Sequence, residues 1–214
     1  MINKIIIRIR FEIASAKLRF FHPELYFQIK KLVGVMADGY QLLRVPMKKN
    51  FDLLWYLNKY RPGNIVELGS GTTSATFSYY AERTQCRVLT LESHVEWFNL
   101  LRASIEFKEI NYKYMLANIK YGDGWTMFDW HHNQTDFLYL DGPQVDQTYP
   151  YNYDVIGMLE HGIRPKVIVF DVRRETVEKT LDYIRKNSIP YQIGKPVSGD
   201  RRHTILELIN PPLR

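Results

Sequence analysis

The sequence predicts an α/β domain built on a seven-stranded, largely parallel sheet whose last strand is reversed, with a helical extension ahead of it. Three observations predict this. From Asn64 onward, short apolar runs alternate with segments of helical periodicity, the pattern of strand–helix–strand crossovers. The runs Ile65-Val66, Val88-Leu89-Thr90-Leu91, Phe137-Leu138-Tyr139-Leu140 and Val167-Ile168-Val169-Phe170 are nearly continuous, as suits strands covered on both faces. Between Tyr191–Gly194 and His203–Ile209 there is no room for a helix, because Lys195–Arg202, with Pro196 and Gly199, reads as a loop. Two strands joined so directly run antiparallel.

The chain has 214 residues, of which 45% are apolar and 24% charged, which suits one globular domain with an appendage. The boundary falls at Arg61-Pro62-Gly63, a stop-and-turn signal that separates a helical extension and cap, residues 1–62, from a domain at 63–214. A single cysteine, Cys86, rules out an internal disulfide and reads as a buried thiol, compatible with a reducing compartment. No apolar run approaches the roughly 20 residues of a membrane span. The net charge of +6 suits the solubility of an enzyme; RNA, an anionic lipid surface or a phosphorylated substrate are the other partners it allows.

Residues 1–21 carry Lys4, Arg8, Arg10, Lys17 and Arg19 against Glu12. The charges at positions 8, 10 and 12 interrupt what would be a signal-peptide core, so the Ala14-Ser15-Ala16 triplet is no cleavage site. Alternate isoleucines suit a strand, but Ile2, Ile5, Ile6, Ile9, Ile13, Ala16 and Phe20 also form one helical stripe, and the stripe continues past Ala14. A basic amphipathic helix is expected. It can pack on the domain or a second subunit, or lie on an anionic membrane. Residues 23–62 read as helical with breaks at Gly34, Gly39 and Pro46, and Phe51–Leu57 has apolar residues at helical spacing. The elements that follow are strand 64–68, helix 73–83, strand 86–91, helix 94–108, strand 113–117, strand 135–140, helix 152–161, strand 166–170, helix 175–187, and strands at 190–194 and 203–209.

Asn64–Ser74 holds the chemistry most visibly. A strand ends in Glu67 and Leu68, turns through Gly69 and Gly71, and runs into a helix. Backbone N–H groups at such a turn are where open α/β sheets bind nucleotides. The order Glu-x-Gly-x-Gly, the seven strands and the reversed last strand resemble class I S-adenosylmethionine-dependent methyltransferases, over residues 64–209. A nicotinamide-binding domain lacks the terminal hairpin, and its third fingerprint glycine would fall on Ser74.

The resemblance implies a Rossmann-like methyltransferase sheet and S-adenosylmethionine as cofactor. It places Glu67, Gly69, Ser70, Gly71 and Thr72 at the amino-acid end of that cofactor. Glu92, at the end of the second strand, would accept the ribose hydroxyls. Asp123 and Trp125, in Tyr121-Gly-Asp-Gly-Trp125, would meet the adenine, although Gly-Asp-Gly also suits an ordinary turn. Asp141, in Leu140-Asp-Gly-Pro143, would face the methyl group and the acceptor. The Asn/Asp-Pro-Pro-Tyr string of nucleic-acid amino-methylating enzymes is missing there; Asn210-Pro-Pro-Leu213 follows the last strand and is a decoy.

Asp-Gly-Pro with Tyr149-Pro150 resembles small-molecule and saccharide O-methyltransferases, so a small-molecule or saccharide acceptor is expected and nucleic acid is not. Asp171 ends the fifth strand and should lie near Asp141. Two carboxylates there can hold a divalent cation such as Mg, or act as a base and its orienting partner. Metal-dependent relatives follow the fifth-strand acid with Asn or Asp, where this chain has Val172. Arg173 and Arg174 can grip an anionic substrate or pair with Glu175 or Asp141. His203 is a further candidate base, His131-His132 has no metal-ligand spacing, and Tyr149, Tyr151 and Tyr153 form either a lid or a packed helix start. The resemblance implies a cytoplasmic enzyme, at the inner membrane face if residues 1–21 meet lipid, with a homodimer as the other use of that helix.

Overall fold

The computed structural model describes residues 2–36, 44–105, 107, 110–131, 134–198 and 203–209. Gly39, His132, Arg201, Arg202 and the Asn210–Leu213 string lie outside the described residues, as do the side chains of Ile2, Ile5, Ile6 and Ile9.

Helices α1 (Ile2–Phe21), α2 (Pro23–Met36) and α3 (Arg44–Tyr60) precede the sheet. Pro23 opens α2, where its missing N–H is no loss. Two expected breaks are absent. Pro46 sits in the first turn of α3, where no intrahelical donor is needed. Gly34 lies inside α2 and is exposed, with open space around its Cα.

The main sheet contains β1 (Asn64–Leu68), β2 (Arg87–Glu92), β3 (Tyr112–Leu116), β6 (Phe137–Leu140), β8 (Val167–Asp171), β9 (Tyr191–Gly194) and β10 (His203–Leu208). Their order is β3-β2-β1-β6-β8-β10-β9, and only β10 runs against its neighbours. The predicted seven strands and the reversed last one are therefore found. Because β1, β2, β6 and β8 are parallel, Leu68, Glu92, Leu140 and Asp171 all end at one edge.

Helices α4 (Thr72–Thr84) and α5 (Val95–Ser104) join β1 to β3, and α6 (Asp154–Glu160) and α7 (Arg174–Lys186) serve the other half. Alternate strand residues face two cores. Ile65, Phe137, Tyr139, Val167 and Val169 pack with α1–α4. Val66, Leu68, Leu138, Leu140, Ile168 and Phe170 pack with α6 and α7. This two-sided burial explains the near-continuous apolar runs.

Two stretches differ from the sequence expectation. The helix expected over 94–108 ends at Ser104, because Ile105 turns extended (φ −115°, ψ 128°) and buries its side chain. A second, three-stranded sheet covers the outer core: β4 (Ile119–Gly122) and β5 (Trp125–Phe128) form a hairpin, and β7 (Tyr151–Asn152) pairs parallel to β5. Asp123-Gly124 is the two-residue turn of that hairpin, with Gly124 at φ 71°. Tyr151-Asn152 is thus strand, and the following helix starts at Asp154.

Candidate active site

The strand order reverses between β1 and β6, the place where open α/β sheets leave a crevice. Here the backbones of Gly69 and Gly142 nearly touch. A Cβ on Gly69 would lie 2.5 Å from the Gly142 nitrogen, and its φ of 83° is itself left-handed. Glycine is the residue for both reasons. Above them opens a cavity of about 600 Å³. Gly69, Ser70, Glu92, Ser93, His94 and Trp97 line one side; Asp141, Gly142, Pro143 and Gln144 line another; Ile119 and Tyr121 of β4 close it.

Glu92 anchors the first side. Its Oε2 accepts from the Ser70 N–H (3.0 Å) and hydroxyl (2.6 Å), and its Oε1 accepts from the N–H groups of Ser93 (2.7 Å) and His94 (2.9 Å). The Ser70 hydroxyl also lies 2.9 Å from the Tyr114 hydroxyl. Turning it there frees an acceptor site on Glu92 for a ligand hydroxyl. The Trp97 indole N–H donates to the Ser70 carbonyl at 2.9 Å and fixes the loop.

Glu67 does not face the cavity. It is fully buried behind the glycine loop. Its carboxyl accepts from the hydroxyls of Thr73 (2.5 Å), Ser74 (2.8 Å) and Thr90 (2.8 Å). It therefore ties β1 to β2 and to the first turn of α4. Burial pushes its carboxyl up to about 7, against the pull of those hydroxyls. Ser74 also accepts from the Gly71 N–H at 3.1 Å, a bond that a glycine at 74 could not make. Gly71 and Thr72 likewise sit behind the lining, and Thr72 is held by the Asn50 side chain of α3 at 3.3 Å.

The second side is a charge cluster. Lys49, from α3, places its Nζ 2.6 Å from Asp171 Oδ2 and 3.4 Å from Asp141 Oδ2. The two carboxylates predicted to be neighbours are thus bridged by an ammonium that the sequence reading did not single out. Asp141 ends above the usual carboxylate range, at about 6, because burial, with repulsion from Asp171, outweighs the pull of Lys49 and Arg173. Burial also raises Asp171, but its bond to Lys49, helped by His203, outweighs that and the net shift is downward. Lys49 is shifted up because the two carboxylates outweigh its burial. Two acids at one edge thereby titrate apart.

Arg173 braces the loop that carries Asp141. It donates to the Pro143 carbonyl at 2.8 Å and to the Asp141 carbonyl, and its Nη2 lies 3.8 Å from Asp141 Oδ1. Asn152 of β7 donates to the same Pro143 carbonyl at 2.9 Å. Val172, between Asp171 and Arg173, sits at φ 45°, a strained conformation for a β-branched residue. Arg174 is exposed and pairs with Glu178 at 3.0 Å, away from the cluster.

Neither a protein-family model nor a characterised relative matches the sequence. Solved structures do match. An O-methyltransferase from Bacillus cereus in complex with S-adenosylhomocysteine superposes with a TM-score of 0.59 at 14% identity, over 95% of this chain and 100% of that one. An S-adenosylhomocysteine-bound methyltransferase from Podospora anserina gives 0.52 at 14% identity, over 86% and 88%. A putative caffeoyl-CoA O-methyltransferase from Staphylococcus aureus gives 0.51 at 10% identity, over 92% and 99%. This chain has the class I methyltransferase fold.

Within that methyltransferase fold, Gly69, Ser70, Glu92 and Asp141 meet at the cavity, and Asp171 is bridged to Asp141 by Lys49. His203 lies opposite Asp171 in the β10–β8 register, buried and off the cavity wall. Asp123 and Trp125 are not brought to the wall. Asp123 is in the hairpin turn and Trp125 stacks on Tyr153 at 4.8 Å, so Ile119 and Tyr121 of the preceding strand take the cavity side instead. Of the tyrosine cluster, Tyr149 packs at a tilt against Tyr121 with ring centroids 4.8 Å apart, while Tyr151 belongs to β7 and Tyr153 precedes α6.

The residues do not fit the divalent cation considered from the sequence. The two carboxylates already share an ammonium, the neighbouring side chain is the hydrocarbon of Val172, and no group of three metal-ligating side chains occurs among the described residues.

Proposed function

We propose that this chain is an S-adenosylmethionine-dependent methyltransferase acting on the hydroxyl of a small molecule, saccharides included. One observation carries the reading. Asp141 stands on the switch-point loop in the cavity wall, with Lys49 at 3.4 Å and Arg173 at 3.8 Å behind it, where a carboxylate can take a proton from a bound hydroxyl; burial holds that carboxyl above the usual carboxylate range.

The bound cofactor would supply a methyl group on a sulfonium, which leaves as a neutral thioether when a nucleophile attacks. The chain's own residues do the remainder. Gly69, Ser70, His94 and Glu92 form the cradle for the cofactor's ribose and amino-acid portion, and Ile119 and Tyr121 flank the adenine. Glu67, Gly71 and Thr72 shape that cradle from behind. Asp141 accepts the acceptor's proton at a carboxylate oxygen as the new carbon–oxygen bond forms. Lys49 and Arg173 keep Asp141 ionised and aimed, and Asp171 holds Lys49. His203 acts through Asp171. Much of the rate comes from alignment of the acceptor oxygen with the methyl–sulfur bond.

The test is transfer of labelled methyl to a panel of small-molecule and saccharide hydroxyls. Asp141→Asn is expected to bind S-adenosylmethionine within about twofold of wild type and to lose turnover by about a hundredfold to ten-thousandfold. Retained turnover in that variant contradicts the base assignment.

A further inference from the structure

We propose that α1 and the start of α2 form a docking surface for an anionic lipid bilayer. The proposal stands independently of the catalytic reading.

The described members of the sequence stripe, Ile13, Ala16 and Phe20, do not face the domain. Ala14 and Leu18, on the other side of α1, are buried in the core, whereas Ala16 is exposed and Ile13 and Phe20 of the stripe are 50% and 85% exposed. Phe21 (71%), in ring contact with Phe20 at the end of α1, and Phe27 (57%), early in α2, are exposed as well. Four large apolar side chains left in water on two adjoining helices mark an interaction surface rather than scattered exposure.

Charge selects the partner. Residues 1–36 hold seven Lys or Arg against two Glu, a net of +5 out of the chain's +6. Arg19, Lys30 and Lys31 are exposed on the same two helices, Lys17 is exposed with its ammonium over the Phe51 ring of α3 (5.5 Å), and Glu24 is paired to Arg83 of α4. A second copy docked through the same face would set like charges against one another. A nucleic-acid duplex would meet the charge but leave the phenylalanines in water, and a single strand could stack bases on them but would leave Ile13 uncovered. An anionic bilayer meets both: headgroups take the lysines and arginines, and the aromatic side chains enter the acyl boundary. No described helix is long and apolar enough to cross a membrane, so α1 would lie in the interface plane.

The experiment is sedimentation of the full chain with phosphatidylcholine vesicles, with and without phosphatidylglycerol. Binding is expected only with the anionic lipid, and is expected to weaken at high salt. Phe20→Ser with Phe21→Ser should lower partitioning roughly tenfold or more, and S-adenosylmethionine titration with circular dichroism checks that this variant is folded. Absence of sedimentation with anionic vesicles overturns the proposal, as does equal binding to neutral ones. A concentration-dependent dimer abolished by the same substitutions, without vesicle binding, gives the face to a second copy. A salt-sensitive shift with RNA alone gives it to nucleic acid.

Discussion

The two sides of the cavity are built on different principles. The wall at the ends of β1 and β2 is wired locally and mostly by neutral donors: Glu92 holds residues 70, 93 and 94, and Glu67 holds residues 73, 74 and 90. The wall at the ends of β6 and β8 is wired by charge across the chain. Lys49 reaches Asp141 over 92 positions and Asp171 over 122. The first arrangement fixes a shape and the second sets a protonation state. Shape suits a cofactor that stays the same from turnover to turnover. A tunable charge suits the step that moves a proton.

Gly69 stands in the first wall and touches Gly142 of the second, so its substitution should disturb both. Gly69→Ala forces a Cβ against the Gly142 backbone at φ 83°, and urea unfolding is expected to show a loss of roughly 2–4 kcal/mol. Unchanged stability would mean that the two loops are not in contact. Glu92→Ala should damage only the first wall. Its S-adenosylmethionine Kd is expected to rise roughly tenfold to a hundredfold by calorimetry, with the midpoint of the pH–rate profile unmoved.

Lys49→Met should do the reverse. On the proposed function Asp141 acts as a base when ionised, so turnover is expected to rise with pH through about 6. Lys49 lowers the Asp141 carboxyl, so its removal should move that rising limb up by about one pH unit, with cofactor affinity little changed. A limb that stays in place separates Lys49 from the base. The smallest effect is expected at Val172. Val172→Asn puts a residue that tolerates the left-handed region at φ 45° and should raise stability by about 0.5–1 kcal/mol in thermal unfolding.

The same contrast explains what the sequence made legible. The sheet and its reversed strand were visible because strand burial, helix period and a loop too short for a helix are local signals. Gly69 and Glu92 were visible because a glycine turn and a strand-end acid adjoin their own strands. Lys49 was hidden. It lies on a helix that precedes the sheet, and nothing near it in the chain announces two carboxylates far downstream. Its signal was the polar run Lys48-Lys49-Asn50 between Val45-Pro46-Met47 and the apolar spacing of Phe51–Leu57. For Glu67 the motif points to a cofactor-facing acid, while its hydroxyl partners, at 73 and 74 on α4 and at 90 on β2, are what turn it inward here. The β4–β5 hairpin was masked because its strands are four residues each and β4 is largely unburied, so the alternation of period two is weak.

The most direct test of the central claim is calorimetric titration of the purified chain with S-adenosylmethionine, with NAD as the control ligand. Saturable one-to-one binding of S-adenosylmethionine alone, weakened by Glu92→Ala and retained by Asp141→Asn, is the predicted result. Binding of NAD in its place, or S-adenosylmethionine affinity indifferent to Glu92, would contradict the assignment of this cavity.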